Sequence, residues 1–367
     1  MSQGNTLKVF SNLTHKYLNF NNFSKLLLKW SEFKNSRQMP WKGEKDPYKI
    51  WISEIILQQT RVEQGLEYYN RFITSFPTIR KLACANEKNI FKHWEGLGYY
   101  SRCRNLIATA KYIHIEKNDV FPDTYEDILK LKGIGPYTAA AIASFAYNLP
   151  YAVVDGNVFR VLARVFGISV AIDSPQGKKL FTSLANKLLD QKTPGIYNQA
   201  IMDFGATVCK PVNPLCSDCL FNKNCEAHLQ KKTTLLPVKA KKVKQQHRYF
   251  YFFIIRHGNK TAIRERTEQD IWRHLHEFPL IELSGDDQVT EAIAGAKALG
   301  WFSNCDTVLP VKERYKQKLT HQTITARFLK VKVPTIPPSL TGYSWIDPDA
   351  LRNYSFPKII NDLLPYL

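Results

Sequence analysis

From Phe23 to about Tyr197 the apolar residues recur at spacings of three and four, the period of amphipathic helices. The pattern breaks near Pro40, Pro77, Gly96, Pro122, Gly133 and Pro150. This predicts an all-α region of several helices. Beyond Arg248 the period changes to two, in β-branched and aromatic runs that predict strands over 248–256, 261–265, 307–311 and 324–333. Helical patterns over 289–299 and 358–364 alternate with them, so a small α+β domain is expected to follow the helical one. Between the two lies a stretch with no acid from Ala227 to Ile263, carrying Lys231, Lys232, Lys239, Lys241, Lys242, Lys244 and Arg248 around Pro237. It reads as a basic linker, either a solvated loop or a direct phosphate contact. The expected organisation is an N-terminal extension over 1–22, a helical domain over 23–228, a linker over 229–247 and the α+β domain over 248–367.

Composition supports two cores, since 367 residues exceed the size at which a single core usually keeps growing. Charged residues interrupt every apolar run well before membrane-spanning length, so no membrane segment is expected. Lys and Arg number 51 against 32 Asp and Glu, a formal charge of +19. That favours a polyanionic partner, nucleic acid or an anionic surface, over a merely soluble basic protein. If about six cations neutralise phosphates, binding falls with log salt at a slope of roughly −5. Seven cysteines without a secretory signal point to a reducing compartment, here the cytoplasm and nucleoid of a bacterium, with an organelle or nucleus as alternatives. Cys84, Cys103 and Cys305 stand alone and are expected as buried small hydrophobes.

Three constellations carry chemistry. Leu131-Lys-Gly-Ile-Gly-Pro-Tyr-Thr138 joins two helical segments, and Gly133 and Gly135 permit backbone angles that leave amides open to a ligand. With the N-terminus of the following helix these amides suit a phosphate, although glycines alone also make an ordinary turn. Cys209, Cys216, Cys219 and Cys225 give the spacing C-x6-C-x2-C-x5-C, which fits structural zinc or an iron-sulfur cluster. In the helical stretch 51–60, Glu54 has Ile50, Trp51, Leu57 and Gln58 as three- and four-residue neighbours, a mainly apolar face. Desolvation there would hold the acid protonated near neutrality; a helix-edge glutamate reaching solvent fits the local pattern equally. Asp155, in Val-Val-Asp-Gly-Asn-Val158, reads as a helix N-cap that can also face a cationic sugar. Two such carboxyls suit glycoside cleavage, one protonating the leaving group while the other stabilises the oxocarbenium-like centre.

The hairpin, the cysteine spacing, Pro-Trp41, the stretch 51–60, Gly-Leu-Gly-Tyr-Tyr100 and Asp-Gly-Asn157 occur in one order, in which residues 23–225 resemble the adenine DNA glycosylase, or MutY, family of the helix-hairpin-helix, endonuclease III superfamily. The resemblance implies an all-α helix-hairpin-helix domain with a 4Fe-4S cluster on the four cysteines. It implies a flipped adenine protonated by Glu54 at N7, with Asp155 stabilising the sugar cation and Tyr137 and Asn157 positioning the groups. By the same comparison Trp41 and Gln199 line the adenine pocket, and Gln59, Thr60, Leu97 and Tyr99 meet the duplex beside the opposing base; core packing is the plain alternative for Leu97 and Trp41. The implied partner is double-stranded DNA with adenine opposite 8-oxoguanine or guanine, bound by a monomer.

Residues 248–367 resemble, through Trp272 to Pro279 with its Glu-Phe-Pro ending, the Nudix-like domain that checks for 8-oxoguanine in this family. The 289–299 helix carries only Glu291, too few acids for a metal-dependent pyrophosphatase. Leu-Thr-His321 stands where Phe-Ser-His is usual, which makes Thr320 and His321 candidates for contacting the damaged base. An endonuclease III-like lyase needs an amine in the hairpin; Tyr137 occupies that position and a phenol cannot form a Schiff base. A non-catalytic DNA-binding protein is the rival from another class, opposed by the joint presence of Glu54 and Asp155.

Overall fold

The computed structural model describes residues 20–240 and 245–367. By contacts between Cα atoms the chain divides into two compact units, Met1–Cys84 with Arg104–Lys242 and Ala85–Cys103 with Val243–Leu367. Of the expected N-terminal extension only residues 20–22 fall within the described part, and Lys241, Lys242 and Lys244 lie outside it.

The helices of the first region are, in chain order, α1 (Phe20–Phe33), α2 (Pro47–Leu57), α3 (Val62–Ser75), α4 (Ile79–Ala83), α5 (Glu87–Trp94), α6 (Tyr100–Glu116), α7 (Tyr125–Lys130), α8 (Pro136–Tyr147), α9 (Gly156–Val165), α10 (Pro175–Leu188), α11 (Pro194–Thr207) and α12 (Glu226–Leu229). All but α5 and the first turn of α6 fall in the first unit. Helix α2 begins where Asp46 accepts from the Tyr48 amide and Pro47 presets the first helical angle. Every residue from Ile50 to Ile56 is buried, so the middle of α2, Glu54 included, is enclosed, while Lys49 in its first turn still reaches water. Phe23, Phe166, Phe204 and Phe221 pack together beneath α9 and α11, with Phe23 stacked on Phe221 at 4.6 Å.

Part of the expected linker is laid onto this unit. Leu236 is buried in its core and its carbonyl accepts from Arg164 Nε at 3.0 Å; the Val238 carbonyl accepts from the Ile172 amide, and the Ala240 amide donates to Asp173. Of the three solitary cysteines Cys103 is buried as expected, whereas Cys84 and Cys305 are exposed. Cys84 is the C-cap that follows buried Ala83 at the end of α4, and it is exposed.

In the second unit the strands are β1 (Gln246–His257), β2 (Lys260–Glu265), β3 (His276–Glu277), β4 (Leu280–Leu283), β5 (Val308–Lys318), β6 (Gln322–Lys332) and β7 (Ser344–Ile346), with α13 (Val289–Ala298) and α14 (Lys358–Asn361). They form one sheet ordered β3-β2-β1-β6-β5, to which β4 adds on β1 and β7 on β2. β1 and β6 run parallel from the Gln246–Gln322 pair to the Arg256–Lys332 pair, and the other pairings are antiparallel. Six successive buried residues, Phe250 to Ile255, mark β1 as a central strand covered on both faces. The strand expected over 307–311 continues to Lys318: as the sheet's edge it carries charges that interrupt the apolar pattern without ending the pairing. The unit also takes in Ala85–Cys103, which the sequence pattern assigns to the helical region. There the Lys92 ammonium donates to the Tyr354 carbonyl at 3.3 Å and Glu95 accepts from the Phe356 amide at 2.9 Å.

Candidate active site

A cavity of about 690 Å³ opens in the first unit, within the size range of small-ligand pockets. Glu54, Asp155, Tyr137, Asn157, Trp41, Gln59, Thr60 and Gln199 all line it, so eight side chains singled out from sequence meet at one place.

Glu54 projects from the enclosed middle of α2 and is 8% exposed. Burial pushes its carboxyl up to about 7; a hydrogen bond with the Tyr137 phenol pulls the other way, and the charge of Asp155 adds to the rise. Tyr137, in the first turn of α8, is itself held well above the usual phenol range by burial, with Glu54 and Asp155 adding to it. Asp155 is the N-cap of α9: one oxygen accepts from the Val158 amide at 2.7 Å and the other from Asn157 Nδ2 at 2.6 Å. Burial raises its pKa as well, opposed by these donors and by the Arg160 charge. The N-cap and the cavity-facing reading thus coexist in one side chain. The segment leading into Asp155 is clamped by Asn198, fully buried, which accepts from the Val153 amide and donates to the Tyr151 carbonyl. Gly205 lets α11 approach Asn157 so closely that a Cβ there would stand 2.7 Å from the Asn157 Cβ.

Two groups were not singled out from sequence. Asp203 is fully buried and gathers the cavity wall: it accepts from Arg37 at 2.9 Å, Asn35 at 2.8 Å and Gln199 at 2.9 Å, and pairs with Lys42 at 3.2 Å. The one local signal was its place as the only charged residue of α11, four residues after Gln199. Arg160 donates to Asn157, to the Gly205 carbonyl and, at 2.7 Å, to the Cys209 carbonyl, so it ties Asn157 to the cysteine loop.

That loop is held by a second arginine one turn on. Arg164 donates to the Lys210 and Pro211 carbonyls and to the Cys209 sulfur at 3.5 Å, while the Cys225 thiol donates to the Arg164 carbonyl. Cys209, Cys216, Cys219 and Cys225 all line one small apolar cavity with Val165, Phe204 and Leu215. Burial pushes the Cys219 thiol up to about 12 and raises those of Cys216 and Cys225, so thiolates there require a cationic partner. Among the described residues no three His, Cys, Asp or Glu side chains converge as they would round a single ion. Four thiols lining one apolar cavity supply a soft donor set that suits zinc or an iron-sulfur cluster.

In the hairpin, Gly133 has φ 82° and a Cβ there would meet the Asn105 Cβ at 2.6 Å, so both the angle and the space require glycine. Gly135 is exposed and precedes α8, whose first amides have no side-chain cap. Gln59, in the first unit, and Tyr99, in the second, have left-handed φ of 56° and 48°, costly for residues with a Cβ. Leu97 is 6% exposed and its carbonyl accepts from Arg102, so its side chain packs inward. Thr320 and His321 are exposed in the turn between β5 and β6, where the Thr320 hydroxyl hydrogen-bonds the Tyr99 phenol. In the second unit Glu277, from the Glu-Phe-Pro segment, is fully buried between Arg264 and Arg266 and is an ion-pair hub of the sheet.

Residues 52–187 match the HhH-GPD superfamily of base excision DNA repair proteins, and residues 250–366 match the NUDIX domain. The class is that of helix-hairpin-helix repair proteins with a Nudix-like C-terminal domain. The chain is 37% identical over 257 residues to an adenine DNA glycosylase of Buchnera aphidicola from Acyrthosiphon pisum, covering 70% of this chain and 73% of the relative. It is 34% identical over 312 residues to that of Buchnera aphidicola from Baizongia pistaciae, covering 82% and 84%. The chain belongs to the adenine DNA glycosylase family. Among solved structures, a thermostable thymine-DNA glycosylase superposes with a TM-score of 0.54 at 28% identity, covering 57% of this chain and 97% of that one.

Proposed function

We propose that this chain hydrolyses the N-glycosidic bond of adenine mispaired with 8-oxoguanine or guanine in duplex DNA, without strong strand cleavage. The observation that carries the reading is Glu54: a buried carboxyl whose pKa lies about 7, sharing a cavity with Asp155, which is hydrogen-bonded as an anion. Burial raises both carboxyls, but only Asp155 is met by the Val158 and Asn157 donors and the Arg160 charge, which favour its anion and divide the labour of acid and stabiliser. Glu54 donates its proton to adenine N7, the bond to the sugar breaks, and Asp155 stabilises the oxocarbenium centre until water adds. Acid catalysis contributes about 10² to 10⁴ and the anion about 10² to 10³, with positioning and desolvation supplying the remainder.

Tyr137 and Asn157 orient the two acids, and Trp41 and Gln199 hold the extruded base. The amides at Gly133 and Gly135 take a backbone phosphate. Gln59, Thr60 and Tyr99 serve the duplex near the opposing base, Leu97 with its side chain packed inward supports that segment from beneath, and Thr320 and His321 read that base. The four cysteines hold a 4Fe-4S cluster, which when bound fastens the loop through four metal–thiolate bonds. Arg160 and Arg164 shape that loop and place positive charge beside it. The protein acts as a monomer in the bacterial cytoplasm.

The test is single-turnover excision from duplexes holding adenine opposite 8-oxoguanine, guanine or thymine, comparing the native chain with Glu54→Gln. Release from the first two, lost in the variant, supports the reading. Equal activity in the variant sinks the mechanism, and stoichiometric trapping by borohydride would restore the lyase alternative.

A further inference from the structure

Cys84 is not solitary in the folded chain. Its Sγ lies 3.6 Å from His114 Nε2, and the other ring nitrogen of His114, Nδ1, lies 2.8 Å from Asp119 Oδ1. The arrangement follows from two helix ends. Cys84 is the C-cap residue just beyond α4 and is exposed. His114 sits in the last turn of α6, where Asn118 and Asp119 have left-handed φ of 50° and 66° and the Asp119 amide returns to the Ile113 carbonyl at 3.2 Å. This reversal brings the Asp119 carboxylate back beside the imidazole five residues before it. A carboxylate accepting at Nδ1 fixes the proton there and leaves Nε2, the nitrogen facing the sulfur, as an acceptor. Nucleophile, base and orienting acid thus stand in the order used by thiol and hydroxyl nucleophiles.

Burial as a silent core thiol is excluded by exposure: Cys84 is open to solvent, and the side chains of His114 and Asp119 are 31% and 36% exposed. An electrophile can reach the sulfur while the base stays behind it.

We propose that Cys84 is a modification site, a base-assisted thiol that exchanges with low-molecular-weight disulfides. In the exchange the Cys84 proton passes to His114 Nε2 and the thiolate attacks one sulfur of the disulfide. The S–S bond of the small molecule breaks as the new one to Cys84 forms, and the departing thiolate takes the proton from the imidazolium and leaves as a free thiol. Cys84 is oxidised to the disulfide level and half of the small disulfide is reduced, so no further oxidant is needed. Asp119 holds the imidazole in its acceptor tautomer and stabilises the cation that forms. The site is independent of the repair reading, since none of its three residues lines the cavity of Glu54.

The experiment exposes the intact cluster-loaded protein to oxidised glutathione and follows each cysteine by peptide mass spectrometry. Cys305, exposed in the second unit, is the reference thiol within the same molecule. Cys84 is expected to react at least about tenfold faster than Cys305, a modest return for general-base assistance. His114→Gln brings the two rates together, and Asp119→Asn, which tolerates the left-handed angle, lowers the Cys84 rate part of the way. An unchanged Cys305 rate in both variants shows that the fold is intact. Equal rates in the native protein, or a Cys84 rate indifferent to His114→Gln, would overturn the proposal.

Discussion

With its carboxyl pushed up to about 7 by burial, Glu54 is a proton donor only while the pH stays below that value, so adenine release is expected to slow as pH rises through about 7. The same displacement bears on stability. The carboxyl's ordinary pKa is 4.5, so its burial costs nothing below that, costs more as pH rises, and reaches its full cost, roughly 3 kcal/mol, above about 7. Glu54→Gln is therefore expected to cut single-turnover excision by about 10² to 10⁴ while raising Tm at pH 8 and leaving it unmoved at pH 4. A Tm gain of equal size at both pH values would show that ionisation is not its source. Tyr137→Phe tests the other side of the pair: the phenol's hydrogen bond holds the Glu54 carboxyl down, so its loss moves the alkaline limb of the rate profile to higher pH. A limb that stays or moves down contradicts the assigned direction.

At the scale of elements, the hairpin offers a contrast between two neighbouring glycines. Gly133→Ala must adopt φ 82° and push against Asn105, at a cost of about 1 to 3 kcal/mol, and is expected to weaken duplex binding equally for matched and mismatched DNA. Gly135→Ala meets nothing within 4 Å and leaves Tm unchanged; a large loss there would mean the turn is shaped otherwise. The hairpin and the cysteine loop were legible in the sequence because their chemistry is local, compressed into eight and seventeen residues. Glu54 was legible as a candidate, but its exposure was decided by the helices around α2, which no local pattern encodes. Asp203 was not legible because Asn35, Arg37 and Lys42 lie more than 160 residues away in sequence, as the 168 and 166 residue separations to Asn35 and Arg37 show. Strands β3, β4 and β7 span two to four residues, too short for alternation to register.

Over the whole molecule, a charge of +19 is carried by two units, each with its own core, and no described helix is long and apolar enough to cross a membrane. Affinity for undamaged duplex is expected to fall with log salt at a slope of roughly −5, and a slope near zero would remove the phosphate-binding role assigned to the basic residues. The burial of Leu236, with the bonds made by Val238 and Ala240, also sets how far past the compositional boundary an N-terminal fragment must run to keep these contacts. A stop codon after Ala240 keeps the last strap of the helical unit buckled. One after His228, at the compositional boundary, leaves an empty apolar slot and takes a carbonyl from Arg164, so the shorter fragment is expected to be less stable by about 2 kcal/mol or more, read as a lower Tm, and to be recovered largely insoluble.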